Sequence, residues 1–260
     1  MQKHAHLIFL FKQLLGRELA SRYRTTALGS IWLVLQPLLM LGVYTLVFSG
    51  IFKVKWTGAA TTSGFALVLF AGLIVFTFFS DVLVTAPSLI SSQPNYVKKV
   101  VFPVGILAVV RVAAAYVTAL VGLAILIVAQ CVSGAWPNGW VIVSPIILAE
   151  LIPMLLGIAW LMSALGVYLR DIAQFTGIIS SVMLFVSPIF FPPTAIPEQL
   201  RALVDFNPLV LPMGALRAVT VQGQAPEWAG LATHFLVSCA FAWMGYFVFR
   251  RLSRGFSDVL

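Results

Sequence analysis

Apolar residues in this chain come in long uncharged runs separated by short polar breaks. Six runs, near 29–52, 64–86, 104–132, 141–168, 172–191 and 228–249, are each about 20 residues or longer, enough for a helix to cross a hydrocarbon core of roughly 30 Å. Lipid offers backbone amides no partner, so spanning segments are helices or closed barrels. A barrel would need strict alternation over about 10 residues per strand, and the runs lack it. The pattern therefore predicts an all-α polytopic membrane protein with six transmembrane helices, organised as one domain over residues 1–260.

Three segments depart from that plan. Ahead of the first run, "HLIFLFKQLLGREL" interleaves Leu7, Leu10, Phe11, Leu14 and Leu15 with Lys12, Gln13 and Arg17. That pattern predicts an amphipathic helix over 5–24 lying in the membrane interface, and no small-residue cleavage pattern marks it as a signal peptide. Residues 88–103 form a longer loop with Pro94-Asn95, Tyr96, Lys98 and Lys99 ahead of Pro103. Such a loop is either a docking surface or a basic anchor for two helix ends. After the fifth run, "SPIFFPPTAIPEQL" places Pro188, Pro192, Pro193 and Pro197 within a few residues. Pro188 should end or kink the fifth helix, and Pro192 and Pro193 should stop it. Residues 192–227 are too polar for a span (Glu198, Arg201, Asp205, Arg217) yet contain "LVLPMGAL". Two short re-entrant helices, started by Pro197 and Pro208, fit that mixture, because irregular backbone at membrane depth survives only where protein or water satisfies it.

Charge sets an orientation. With the N-terminus inside, one face collects Lys3, Lys12, Arg17, Arg22, Arg24, Lys98, Lys99, Arg170, Arg250, Arg251 and Arg254, against Lys53, Lys55, Arg201 and Arg217 on the other. Positive residues favour the cytoplasmic side, so both termini are expected there. Trp56, Trp136, Trp140 and Trp228 then fall at the outer interface, where aromatic belts form. Composition agrees: 61% of residues are hydrophobic and 9% charged, far from the roughly 25% charged residues of soluble domains. The net charge of +8 is accounted for by topology and anionic headgroups, with no need for nucleic acid. Cys131 and Cys239 lie in apolar runs and read as small packing residues rather than a disulfide or metal pair.

Chemistry is sparse. No Lys precedes Ser or Thr, so a GxxxxGK[ST] phosphate loop is excluded. There is also no HExxH and no GxSxG. Ionisable residues at membrane depth are costly and mark function by default. Asp81 and Arg111 lie roughly 10 Å from the same end of their runs at 1.5 Å per residue and are placed to pair. Glu150 and His234 are a second possible pair near the opposite face. Aromatic rings stack on sugars, which makes Phe76, Phe79, Phe185 and Phe190 candidate channel residues, although Phe is equally at home against lipid or in a core.

The segment "SRYRTTALGSIWLVLQPLLMLGVYTLVFSGIFK" resembles the start of the membrane subunit of ABC-2 type polysaccharide exporters. The features that match are Arg22-Tyr23-Arg24, the Leu28-Gly29 turn, Trp32, Pro37 and the Phe-containing end before Lys53. "LISSQPNYVKKVVFP", "LRDI", "SPIFFP" and "NPL" follow in the expected order, so that the likeness covers nearly the whole chain. The resemblance implies a permease that works as a homodimer with two copies of a separate ATPase, which carries the ATP and magnesium. Its cargo would be a lipid-linked, O-antigen-like polysaccharide moved outward across the bacterial cytoplasmic (inner) membrane. It also implies that 88–103 is the loop seated in the ATPase, through Pro94, Asn95, Tyr96, Lys98 and Lys99, and that 192–227 forms an outer gate. Arg22, Tyr23, Arg24, Leu28, Gly29 and Trp32 would receive the lipid pyrophosphate, which guanidinium groups bind bidentately. Capsular or teichoic-acid export and multidrug export within the superfamily are alternatives, as is a membrane enzyme of lipid-linked sugar synthesis. The last needs acidic motifs at a membrane face, where only Asp171 beside Arg170 stands.

Overall fold

The computed structural model describes residues 2–23, 28–44, 46–47, 62–94, 96, 102–169, 171–192 and 198–259. Helices and short 3-10 or π turns make up the fold, with no strand among the described residues. The N-terminal helix α1 (Gln2–Tyr23) begins three residues earlier than its apolar pattern does. A left-handed Gly29 (φ +53°) then turns the chain into α2 (Trp32–Tyr44), with Pro37 inside it. The far half of the first predicted span, with Lys53, Lys55 and Trp56, lies outside the described residues.

Helix α3 (Thr62–Thr85) forms the centre. Nearly every side chain from Phe65 to Leu83 is buried, Val75 and Val82 completely. A helix apolar all round has no face to give to water, so it is wrapped by neighbours. Here these are α5 (Gly105–Val132), α7 (Ile152–Tyr168), α8 (Ile172–Val186) and α10 (Val210–Arg217). The short α4 (Ser88–Ser91) follows α3 and inserts Ile90 between α7 and the C-terminal end of the chain.

Four stretches are long and apolar enough to cross a membrane: Gly64–Thr85, Gly105–Val132, Gly139–Tyr168 and Trp228–Gly255. The third is broken. A 3-10 turn (Gly139–Val143) and α6 (Ser144–Glu150) meet α7 at Leu151, because Pro153 has no N–H to continue the ladder. One predicted span comes out short: the apolar helix Ile172–Val186 is below spanning length, while Trp32–Val43 is the described part of the first predicted span. For α8, 15 residues give about 22 Å at 1.5 Å rise per residue. It ends at Val186, five residues before the apolar run does, because Ser187 takes an extended conformation (φ −77°, ψ 141°). That is the conformation proline imposes on the residue before it.

Beyond the break come α9 (Glu198–Asp205), α10, a π turn (Ala218–Gln222) closed by left-handed Gly223, and α11 (Trp228–Leu252). Two short helices thus occupy 198–217, as the proline pattern predicts. A 3-10 turn and α12 (Phe256–Val259) finish the chain. Helices α7 and α11 touch backbone to backbone: a Cβ on Gly245 would lie 2.6 Å from the Gly157 carbonyl oxygen. Small residues permit such closeness, and in lipid that packing replaces the hydrophobic driving force.

Candidate functional site

Arg111 stands on the second turn of α5 and is 5% exposed. A guanidinium so placed needs compensation, and three residues on two helices provide it. Its Nε donates to Thr85 Oγ1 at 2.6 Å, and its Nη2 donates to the Asp81 carbonyl oxygen at 3.2 Å and to the Asp81 carboxylate. Asp81 and Thr85 are four apart on α3 and so share a face. The third residue stands on α1, where Glu18 Oε1 accepts from Arg111 Nη1 at 3.1 Å. Glu18 and Asp81 keep about a quarter of their side-chain surface exposed, at 26% and 29%. Removing one partner of such a buried pair costs roughly 3–5 kcal/mol, because the remaining charge stays desolvated.

The sequence anticipates the Asp81–Arg111 pair and misses Glu18 and Thr85. A signal existed for Glu18: it is the one acidic residue of α1, among Lys3, Lys12, Arg17 and Arg22. Its neighbour Arg17 reaches the 88–103 loop. There Arg17 Nη2 donates to Gln93 Oε1 at 3.5 Å, and its guanidinium carbon lies 5.5 Å from the Tyr96 ring centroid. Tyr96 in turn stacks on Phe102, with centroids 4.5 Å apart. Pro94 is partly buried beside them, while Asn95, Lys98 and Lys99 lie outside the described residues.

Asp81 also lines a cavity of about 380 Å³ between α2, α3 and α5. Its walls are mainly apolar, with Gln36, Thr77, Ser80, Asp81 and Thr118 as the polar residues. Thr77 and Thr118 bond back to carbonyls of their own helices, and Ser80 Oγ meets Ser180 Oγ at 2.6 Å. Of the four candidate aromatics, Phe76 lines this cavity. Phe79 is buried in the core, Phe190 packs against that core, and Phe185 is 70% exposed on α8. The chain therefore does not gather the four around one space. Leu28 and Gly29 do form the expected turn, with Ile31 N–H donating to the Leu28 carbonyl at 3.2 Å, and Trp32 opens α2 partly buried. Arg22 and Tyr23 are the last residues of α1, and Arg24 lies outside the described residues.

At the other end of the bundle the second pair also forms, His234 Nδ1 against Glu150 Oε1. Glu150 is the last residue before the break at Leu151, and its Oε2 is buried without a hydrogen-bond partner.

The segment between α8 and α11 corrects the charge count. Arg217, assigned there to an outer polar loop, is 4% exposed. Its Nε donates to the Val68 carbonyl at 3.0 Å, Nη1 to Pro188 at 2.8 Å and Nη2 to Ile189 at 3.2 Å. The proline break frees carbonyls that no helical N–H can reach, and the guanidinium collects them. Asn207 ties the same break to the next helix, donating from Nδ2 to the Ser187 hydroxyl at 2.9 Å while its Oδ1 accepts from Leu209 N–H. The π turn is satisfied in the same manner: Val219 and Thr220 carbonyls accept from Asn138 and Gln130. An arginine inside "PMGALRAVTV" should have been read as buried, since only apolar and small residues flank it.

Known proteins extend this picture. The family model of the ABC-2 type transporter matches residues 9–221. Among relatives, the O-antigen export system permease protein RfbA of Myxococcus xanthus is 26% identical over 251 residues, covering 96% of this chain and 94% of that one. Two proteins of the same name from Klebsiella pneumoniae are each 22% identical over 256 residues, covering 98% of this chain and 96% of theirs. With a family match running from α1 through the π turn beyond α10, the chain belongs to the ABC-2 type transporter family.

Proposed function

We propose that this chain is the permease subunit of an ATP-driven exporter that moves a lipid-linked, O-antigen-like polysaccharide outward across the bacterial inner membrane. The observation that carries the reading is the near end-to-end similarity to proteins named O-antigen export system permeases. It favours that cargo over capsular, teichoic-acid or drug export and over a sugar-lipid enzyme. Hydrolysis of ATP with magnesium belongs to a separate partner subunit in two copies, docked on a homodimer of this chain. Within that assembly, residues 88–103 seat in the partner through Pro94, Asn95, Tyr96, Lys98 and Lys99. Arg22, Tyr23 and Arg24, beside the Leu28-Gly29 turn and Trp32, receive the pyrophosphate headgroup. Six spans place both termini in the cytoplasm, α2 and α8 completing the four long stretches, and 192–227 re-enters the membrane as an outer gate.

The experiment is deletion of the gene followed by fractionation of lipid-linked glycan. The expected outcome is loss of surface polysaccharide with accumulation of the lipid-linked form inside the cell, restored by the gene in trans. Unchanged surface polysaccharide refutes the reading.

A further inference from the structure

The 88–103 loop has two stems, the end of α3 and the start of α5, and one guanidinium ties both together. Arg111 on the α5 stem holds Asp81 and Thr85 on the last two turns of α3. The same guanidinium holds Glu18 of α1, and the adjacent Arg17 contacts Gln93 and Tyr96 within the loop. On a helix, successive residues point about 100° apart, so α1 touches the loop with one residue and its stems with the next. Asp81, in turn, belongs to the cavity wall. A displacement of the loop and its stems relative to α1 therefore strains a cluster that includes part of the cavity wall.

We infer that Glu18 and Arg111 are positioning residues of the transport cycle, carrying movement of the 88–103 loop to the cavity wall at Asp81. The inference rests on the chain working with an ATP-hydrolysing partner at that loop, and not on the identity of the cargo. Buried charge clusters are suited to such coupling, because they hold one arrangement or switch to another, and bistable elements of this kind transmit a signal between sites. The competing role is a static brace.

The test uses the full permease with its ATPase partner in lipid vesicles, in a chain carrying Cys131→Ser and Cys239→Ser. A reporter thiol introduced by Thr118→Cys sits on the cavity wall, and its rate of labelling by a small thiol reagent is read with and without ATP. With Glu18 intact, ATP should change that rate by about tenfold, and Glu18→Gln should cut the response below about twofold. Hydrolysis and co-purification of the partner should persist, and Glu18→Asp should regain most of the response. Retention of the ATP response in Glu18→Gln overturns the inference. So does loss of the partner from Glu18→Gln, which would make the cluster a brace, or the lack of any ATP response with Glu18 intact. Should Glu18→Gln fail to fold, Arg17→Ala decides from outside the buried cluster: a weakened response supports the route, and an unchanged one overturns it. A complex that shows the ATP response yet exports no lipid-linked glycan refutes the proposed cargo and leaves this inference standing.

Discussion

A single arginine explains how the proline-rich break is accommodated inside the helical bundle. Carbonyls of Pro188 and Ile189 would be orphaned where α8 stops, and Arg217 takes both while also reaching Val68 on α3. Gly72 is the space that admits it, since a Cβ there would lie 2.5 Å from Arg217 Nη2. Arg217→Met should therefore destabilise by about 1–3 kcal/mol for each carbonyl left without a donor. For a chain of this size that lowers the thermal midpoint in detergent by about 2–4 °C per kcal/mol. Gly72→Ala should also destabilise, by displacing the guanidinium. The double variant should be no worse than Arg217→Met alone, because the methyl group then meets no guanidinium. Strictly additive midpoints in differential scanning fluorimetry would break this account. The apolar neighbours of Arg217 signal its burial, but its partners were not legible in the sequence. Charge counting treats arginine as a loop residue by default, and the contact joins positions 149 apart.

At the scale of elements, the apolar runs located α3, α5 and α11 to within a few residues, because a predominantly apolar run of that length has one low-energy conformation in lipid. The same reading overextended the fifth span. Hydropathy continues through Ile189, Phe190 and Phe191, but the backbone before Pro188 cannot stay helical. What no run length encodes is which helices approach closely. For α7 and α11 the answer lies in Gly157 and Gly245, whose backbones meet where any side chain would intrude. Gly245→Leu should push the two helices apart, and neighbours fixed by packing cannot relax fully, so destabilisation of about 1–3 kcal/mol or more is expected. Tryptophan fluorescence gives a local readout: Trp160 stacks edge-on against Tyr246 across this contact and donates to the Gly105 carbonyl at 3.1 Å. Its emission should shift in Gly245→Leu, and an unmoved spectrum with native stability would show that the helices do not rely on the glycine pair.

For the whole molecule, the remaining question is which end faces out, and the chain contains its own reporter. Helix α5 has 28 residues, which gives about 42 Å at 1.5 Å per residue, so its ends pass beyond a hydrocarbon core of roughly 30 Å. Arg111 lies near one end, with the α1 contact and the basic loop. Cys131 lies one residue from the other end and is exposed. Cys239 sits in the middle of α11, within the apolar band. The nucleophile that attacks a maleimide is the thiolate, which forms in water and not in lipid. A membrane-impermeant maleimide added to intact spheroplasts should therefore label Cys131 and leave Cys239 untouched, and Cys131→Ser should abolish the signal. If positive charge had misassigned the faces, Cys131 would react only after the membrane is opened, and the Arg111 cluster would stand on the outer side. No cytoplasmic partner could then drive it, so this one labelling experiment bears on the orientation, the docking loop and the coupling route together.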